Sequence, residues 1–246
     1  MNRVTRRALA VAAGVGVANA LPAVSSAPAV RNVLTPQLAG IGRPGQVAFT
    51  FDDGPDPVST PLFLDLLAER GVRATFFLLG FMVRRAPGLA AEIVAAGHQL
   101  GVHGDLHRNL LLRDPVSAMT DIRRAHDLIA ETTGVRPGWY RPPYGILTAG
   151  ACLAAARTGM QPVLWTAWGR DWSARATPES VRRVVRRKLV DTGTILLHDA
   201  DCTSAPGAWR STLGALPALL DDCQERGWRP VTLDDHLLPP DARPRS

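Results

Sequence analysis

Between Gln46 and Leu233 the chain repeatedly alternates a short apolar run with an amphipathic segment of helical period, and this alternation limits its fold more than any other feature. Val47 to Asp52 is the first strand expected, followed by a helix from Ser59 to Arg70. Ala74 to Leu79 is the second strand, a helix runs from Gly88 to Ala96, and Gln99 to His103 is a third, short strand. Asp114-Pro115 supplies an N-cap and a first-turn proline for a long helix ending at Gly134. Trp139 to Arg141, Pro162 to Trp165, Thr194 to Leu197 and Arg229 to Leu233 complete the strands, and Thr177-Pro178-Glu179 opens one of the helices between them. Strand and helix alternating seven times imply a parallel sheet covered by helices, one pair short of a closed TIM barrel. The expected fold is therefore α/β: a distorted, incomplete TIM-like (β/α)7 barrel in a single domain. With 46% hydrophobic and 20% charged residues, a fully disordered chain is excluded. The apolar stretch from Ala8 to about Ala20 is shorter than the ~20 residues of a membrane-spanning helix, which excludes a polytopic membrane protein.

The unusual polar residues fall at or just after the ends of these strands. Asp52 and Asp53 close the first, His103 and His107 follow the third, Arg141 the fourth, Asp171 the fifth and His198 the sixth. In a barrel of parallel strands those ends converge on one face, so residues distant in sequence share a site. His103 and His107 are four apart, and a helical turn there would point both imidazoles at one ion. Such a pair alone is equally compatible with packed or exposed histidines, and Asp-Asp-Gly-Pro alone with an ordinary turn. Together they offer two imidazoles and a carboxylate, the donor set of a catalytic metal that keeps a position open for water. The second aspartate is then free to be the base.

Thr50-Phe51-Asp52-Asp53-Gly54-Pro55, His103-Gly104-Asp105-Leu106-His107, Arg141-Pro142-Pro143-Tyr144-Gly145, Asp171-Trp172 and Leu196-Leu197-His198-Asp199, in that order, resemble the five motifs of the polysaccharide deacetylases of carbohydrate esterase family four. The resemblance covers about Val47 to Leu233. It implies that Asp53, His103 and His107 hold a divalent metal, zinc by preference, with cobalt or nickel also compatible. It further implies that Asp52 accepts the proton of the attacking water and that Arg141 keeps Asp52 ionised and oriented. The backbone N–H of Tyr144 would bind the developing oxyanion, and His198 would protonate the departing amine with Asp171 stabilising its imidazolium. Trp172 and Leu196 would wall the pocket for the acetyl methyl. The implied reaction is removal of N-acetyl groups from amino sugars of a glycan, peptidoglycan or chitin-like. A catalytically silent sugar-binding protein would not need Asp52, Arg141 and His198 together, and an amide hydrolase for small metabolites fits poorly with an export signal. One position departs from the family pattern: the residue after the first histidine, usually Ser or Thr, is Gly104. Either a bracing hydroxyl is missing, or glycine is required there by a positive φ or by another side chain filling the space.

Residues 1–20 have the basic start, apolar middle and Ala18-x-Ala20 of an export signal, and Thr5-Arg6-Arg7-Ala8-Leu9 resembles the twin-arginine type. The chain is expected to divide into that signal, a spacer or N-terminal extension at 21–45, the catalytic domain at 46–238 and a tail at 239–246. The expected location is secreted or at the cell surface, with a retained N-terminal anchor as the alternative and no stable membrane insertion of the mature chain. The net charge of +6 looks suited to nucleic acid, but Arg3, Arg6 and Arg7 account for half of it, and the remaining basic residues are not interleaved with aromatics as a nucleic-acid groove requires. No nucleic acid is expected, and the chain is expected to be a monomer. Arg182, Arg183, Arg186, Arg187 and Lys188 alternate with Val181, Val184, Val185 and Leu189 as the solvated face of one helix. Cys202 and Cys223 either pair after export or remain buried thiols. His98 is expected to be structural, His126 and His236 to lie on the surface, Trp165 and Trp168 to pack in the core or rim, and Asp105 to point away from the metal.

Overall fold

The computed structural model describes residues 3–237; the expected tail at 239–246 lies outside them. Its strands are β1 (Gln46–Asp52), β2 (Thr75–Leu78), β3 (Gln99–Val102), β4 (Trp139–Tyr140), β5 (Gln161–Pro162), β6 (Ala167–Trp168), β7 (Thr194–His198) and β8 (Arg229–Val231). All are parallel, in the order β5-β4-β3-β2-β1-β7-β6, with β8 paired to the first half of β1. The sheet curls into an open barrel. The seventh expected unit of pairing is present, and there is one more strand than expected, because the run from Pro162 to Trp165 does not stay in the sheet. β5 stops at Pro162, the Leu164 N–H turns away to the Leu38 carbonyl at 2.7 Å, and pairing resumes only at Ala167 against Ile195. The open side of the barrel lies between these two short strands.

The helices are α1 (Arg3–Ala20), α2 (Pro28–Leu34), α3 (Thr60–Glu69), α4 (Gly80–Arg85), α5 (Pro87–Ala95), α6 (Pro115–Thr133), α7 (Ala149–Thr158), α8 (Pro178–Arg186), α9 (Trp209–Glu225) and α10 (Leu233–Leu237). Sequence chemistry sets their ends. At α6 the Asp114 side chain accepts the Ser117 N–H at 2.9 Å and Gly134 closes the helix at φ +73. At α8, Thr177 and Ser180 cap each other reciprocally. Val181 and Val185 face inward from α8, while Arg182 and Arg186 reach the buried Asp222 of α9 at 2.8 and 3.5 Å, so part of the arginine face is committed to an interhelical ion pair. No single helix among the described residues is long and apolar enough to cross a membrane.

β1 is buried on both faces after Gln46, as expected for a central parallel strand rich in aromatic and β-branched side chains. Phe51 stacks on Phe76 at 5.0 Å and meets Phe63 edge-on at 5.3 Å, which joins β1, β2 and α3 in one core. His98 is a structural residue, its Nδ1 accepting the Ala74 N–H at 3.1 Å. His126 and His236, expected on the surface, are buried. His126 lies on the inward face of α6 with Ile122 and Ile129, and His236 of α10 bonds the Thr192 carbonyl. The polar character of an imidazole masked its place in both helical patterns.

Residues 21–45, expected as a spacer or N-terminal extension, lie against the barrel. Arg31 of α2 is buried, its guanidinium donating to the carbonyls of Ser26 at 2.8 Å and Trp165 at 2.7 Å and lying over the Trp165 ring. Leu38 receives the Leu164 N–H, and Thr194 Oγ1 donates to the Gly40 carbonyl. The segment thus covers the open side of the barrel and satisfies backbone groups that a missing strand would otherwise pair.

Candidate active site

The sheet register builds the site. Asp52, the last residue of β1, is level with His198, the last of β7, so both side chains emerge on the same side at the carboxyl ends of the strands. Val102 pairs Tyr140, and the residues that follow them, His103 and Arg141, enter at the same height, the Arg141 N–H bonding the Val102 carbonyl. Asp171 lies beyond β6, which pairs β7, and its Oδ2 accepts the His198 N–H at 2.8 Å. The strand ends thus bring Asp52, Asp53, His103, His107, Arg141, Asp171 and His198 to one edge of the sheet.

Asp53, His103 and His107 bring one ligand atom each to within 4.8 Å of one another. The Asp53 Oδ1 stands 3.6 Å from both His103 Nε2 and His107 Nε2, and it is buried with no hydrogen-bond partner, an arrangement costly unless something electropositive occupies the gap. Its other oxygen accepts from Thr203 Oγ1. His103 Nδ1 lies 2.8 Å from the Arg141 carbonyl, which can only accept, so Nδ1 carries the proton and Nε2 presents a lone pair to the gap. Burial, with His107 beside it, pushes His103 down to about 3, so it is neutral as a ligand must be. These residues fit a divalent cation. The two imidazoles are not brought together by a helical turn, however. His103 to His107 is an irregular turn with Gly104 at φ +98 and His107 at φ +47, and the rings meet at 5.0 Å through that left-handed geometry. Asp105 points away, as expected, into a paired contact with Arg84 at 2.7 and 3.1 Å.

Asp52 is buried 3.7 Å from His103 Nε2 through Oδ2, while its Oδ1 accepts from Arg141 at 2.7 Å. Burial raises its carboxyl above the ordinary range, and Arg141 pulls against that. Arg141 is wholly buried, donating also to Thr50 Oγ1 and the Leu164 carbonyl and lying over the Phe77 ring at 4.1 Å. Opposite Asp52, His198 Nδ1 meets Asp171 Oδ1 at 3.0 Å, and Thr212 Oγ1 donates to the second Asp171 oxygen at 2.6 Å. Burial alone would depress His198, but Asp171, helped by Asp53 and Asp52, pushes it up to about 10. Burial likewise works to raise Asp171, and the imidazolium overrides it, leaving the carboxyl lowered. The pair is an imidazolium and a carboxylate at neutral pH.

A cavity of about 440 Å³ opens over these groups, bounded by Asp52, His103, His107, Tyr144, Trp172, Leu196 and His198. Tyr144 is at φ +60 with its ring against His107 at 4.7 Å. Trp165 and Trp168, expected as packing residues, line the same cavity and continue the wall begun by Trp172, with ring separations of 6.1 and 6.4 Å. Thr50, Thr203 and Thr212, which orient the charged groups, were not foreseen; only Thr50 sits within a recognisable motif. Asp199 was likewise missed: buried beside Asp53, its carboxyl is pushed up to about 7 by burial first and by the neighbouring carboxylates. Cys202, exposed on the loop after β7, and the buried Cys223 are both free thiols.

The chain is 35% identical over 201 residues to a peptidoglycan-N-acetylglucosamine deacetylase of Bacillus cereus, spanning 78% of this chain and 87% of that protein. It is 34% identical over 198 residues to a chitooligosaccharide deacetylase of Sinorhizobium fredii, covering 77% and 90% of the two chains. Among solved structures, the Bc1960 peptidoglycan N-acetylglucosamine deacetylase superposes with a TM-score of 0.74 at 28% identity, over 80% of this chain and 90% of that one. The polysaccharide deacetylase profile matches residues 40–163, which include the Asp-Asp pair, both candidate metal histidines and Arg141. With that match, the aligned relatives and the open parallel barrel in agreement, the chain belongs to the polysaccharide deacetylase family.

Proposed function

We propose that the protein is a metal-dependent hydrolase, exported from the cell, that removes N-acetyl groups from the amino sugars of a peptidoglycan-like or chitin-like glycan. One observation carries the reading: a buried carboxylate, Asp52, and a partly buried imidazolium, His198, line one cavity beside the cluster of Asp53, His103 and His107, whose Asp53 Oδ1 is a buried acceptor with no hydrogen-bond partner. Asp53, His103 and His107 would hold zinc, or cobalt or nickel, which when bound would supply Lewis acidity toward the acetyl carbonyl and the attacking water.

The protein's own groups handle the protons. Burial makes Asp52 a stronger base than an exposed aspartate, and the Arg141 guanidinium keeps it charged and fixes Oδ1, so that Oδ2 receives the proton of the water attacking the acetyl carbon. The backbone N–H of Tyr144, its chain held at positive φ on the cavity rim, meets the oxygen that gains charge. As the C–N bond breaks, His198 gives its proton to the amine nitrogen, and acetate and a free amino sugar leave. Trp172 and Leu196 enclose the methyl, and the indoles of Trp165 and Trp168 offer flat faces to neighbouring sugar rings. The basic and apolar N-terminus with Ala18 and Ala20 supports export.

The test is acetate release from N-acetylglucosamine oligomers, chitin oligomers and peptidoglycan fragments, with metal analysis of the same preparation. Chelation is expected to abolish release, and zinc or cobalt to restore it. Full activity in metal-free protein, or no acetate from any N-acetylated glycan, would refute the proposal.

A further inference from the structure

The turn from His103 to His107 belongs to no helix or strand, yet it is held from several sides. The His103 N–H bonds the Leu78 carbonyl, and the N–H groups of Gly80 and Phe81, at the start of α4, bond the carbonyls of Gly104 and Asp105 at 3.0 and 3.1 Å. Arg84, one turn further along α4, grips the Asp105 carboxylate with two hydrogen bonds. The approach is close enough that a Cβ at Gly80 would run into Asp105. These contacts fix the carbonyl side of the turn from α4.

The N–H side is held from α6. Asp121 Oδ2 accepts the Asp105 N–H at 2.8 Å, and Arg124, three residues on, approaches the Asp105 carboxylate at 3.9 Å. A Cβ at Gly104 would sit 3.0 Å from that same Asp121 oxygen, so a side chain there would force the carboxylate to give way. The backbone asks for glycine independently, since φ is +98. The space beside residue 104 is therefore filled by a side chain reaching across from α6.

We infer that Asp121 is a positioning residue for the metal ligands: by bonding the Asp105 N–H through the gap left by Gly104, it fixes the turn that carries His103 and His107, and Gly104 and Asp121 work as a pair. The inference rests on the metal-binding reading of Asp53, His103 and His107. Ligands on an irregular turn have no helical scaffold to hold their spacing, so their affinity depends on the groups that anchor the backbone between them.

The test uses the full chain stripped of metal, with zinc affinity from competition against a chromophoric chelator, the absorption spectrum of the cobalt-loaded protein, and a thermal melt. Asp121→Ala is expected to weaken zinc binding about 10- to 100-fold and to alter the cobalt spectrum. Asp121→Asn keeps an acceptor for the Asp105 N–H and is expected to stay within about threefold of wild type. Gly104→Ser probes the same contact from the other side and is expected to weaken zinc binding in wild type but to add less loss in the Asp121→Ala background, where the carboxylate is gone. Should Asp121→Ala not fold, Gly104→Ser alone, with Asp121→Asn as its control, carries the test. Wild-type zinc affinity and cobalt spectrum in Asp121→Ala, even with a lowered melting temperature, would overturn the inference by reducing Asp121 to a stabiliser of α6, and wild-type affinity in Gly104→Ser would do so equally. A protein that binds zinc but releases no acetate refutes the deacetylase reading alone, whereas one that binds no zinc overturns the role of Asp121 too.

Discussion

The ion pair between His198 and Asp171 gives a perturbation whose sign and size follow from the structure. Asp171→Asn preserves the shape of the side chain and an oxygen for Thr212, but removes the charge that outweighs the burial of His198. In wild type without metal the imidazole is held near 10; with Asp171 neutral both of its raising contributions are lost, burial is opposed only by Asp53 and Asp52, and the value falls toward the ordinary imidazole value of about 6.5. A general acid must be protonated, and protonation is lost as pH rises through the pKa. At pH 8 an imidazole at the ordinary pKa of about 6.5 is about 3% protonated, so kcat/KM is expected to fall by up to about 30-fold, while at pH 6, where it is about three-quarters protonated, the defect shrinks to a few-fold. The basic limb of the pH–rate profile should move to lower pH, and NMR titration of the metal-free protein should show the His198 imidazole moving down from about 10 in the same direction. Linkage adds an independent sign. The raised wild-type imidazole stabilises the fold fully below pH 6.5 and loses that contribution as pH climbs through about 10, so the alkaline loss should be absent in the variant. A defect of equal size at pH 6 and pH 8, with an unmoved basic limb, would show that His198 is not the acid.

Asp52→Asn is expected to retain bound zinc and lose activity by about 10²- to 10⁴-fold, the range for removing a positioned base, whereas Asp53→Ala and His107→Ala should lose metal and activity together; equal metal loss in all three, measured by metal analysis, would mean that the two aspartates exchange roles. Arg31→Ala removes two charge-assisted bonds to the Ser26 and Trp165 carbonyls and is expected to cost about 2 kcal/mol in denaturant unfolding, with KM rising more than kcat falls as the Trp165 wall loosens; unchanged stability and KM would reduce the α2 contact to a passive one.

The legible parts of this protein are those where one local rule decides the outcome. β1, α6 and the start of α8 appear in the sequence within a residue or two because an aromatic and β-branched run, an Asp-Pro start with a glycine stop, and a Thr-Pro cap each specify the element without distant help, whereas α8 ends at Arg186, short of the Lys188 and Leu189 that its amphipathic pattern includes. The site residues were legible because a parallel barrel turns strand ends into neighbours, and the strand-end polar residues stood out against apolar runs. What escaped depends on contacts made across the chain. The split between β5 and β6 is imposed by Leu38, more than a hundred residues away, through one hydrogen bond to Leu164. Arg31, Thr203, Thr212 and Asp121 carry no periodicity or motif, and their roles exist only once α2, α6, α9 and the loop after β7 are placed around the barrel mouth.

The backbone itself shows how such dependence is organised. Among the described residues, four that are not glycine adopt positive φ: Asp53, His107, Tyr144 and Arg170. The first three carry the carboxylate and an imidazole of the candidate metal cluster and the amide at the cavity rim, and Arg170 immediately precedes Asp171. Each such conformation costs on the order of 1 kcal/mol or more and persists only where surrounding contacts over-determine it. Those contacts are in place: Thr203 on Asp53, α4 and α6 on the turn before His107, the His107 ring on Tyr144, and the His198 N–H on Asp171. Regular strands deliver the residues to one edge, but their alternating geometry cannot aim two imidazoles and a carboxylate at a single point. The left-handed residues perform that last reorientation, and the buried threonines and Asp121 hold it.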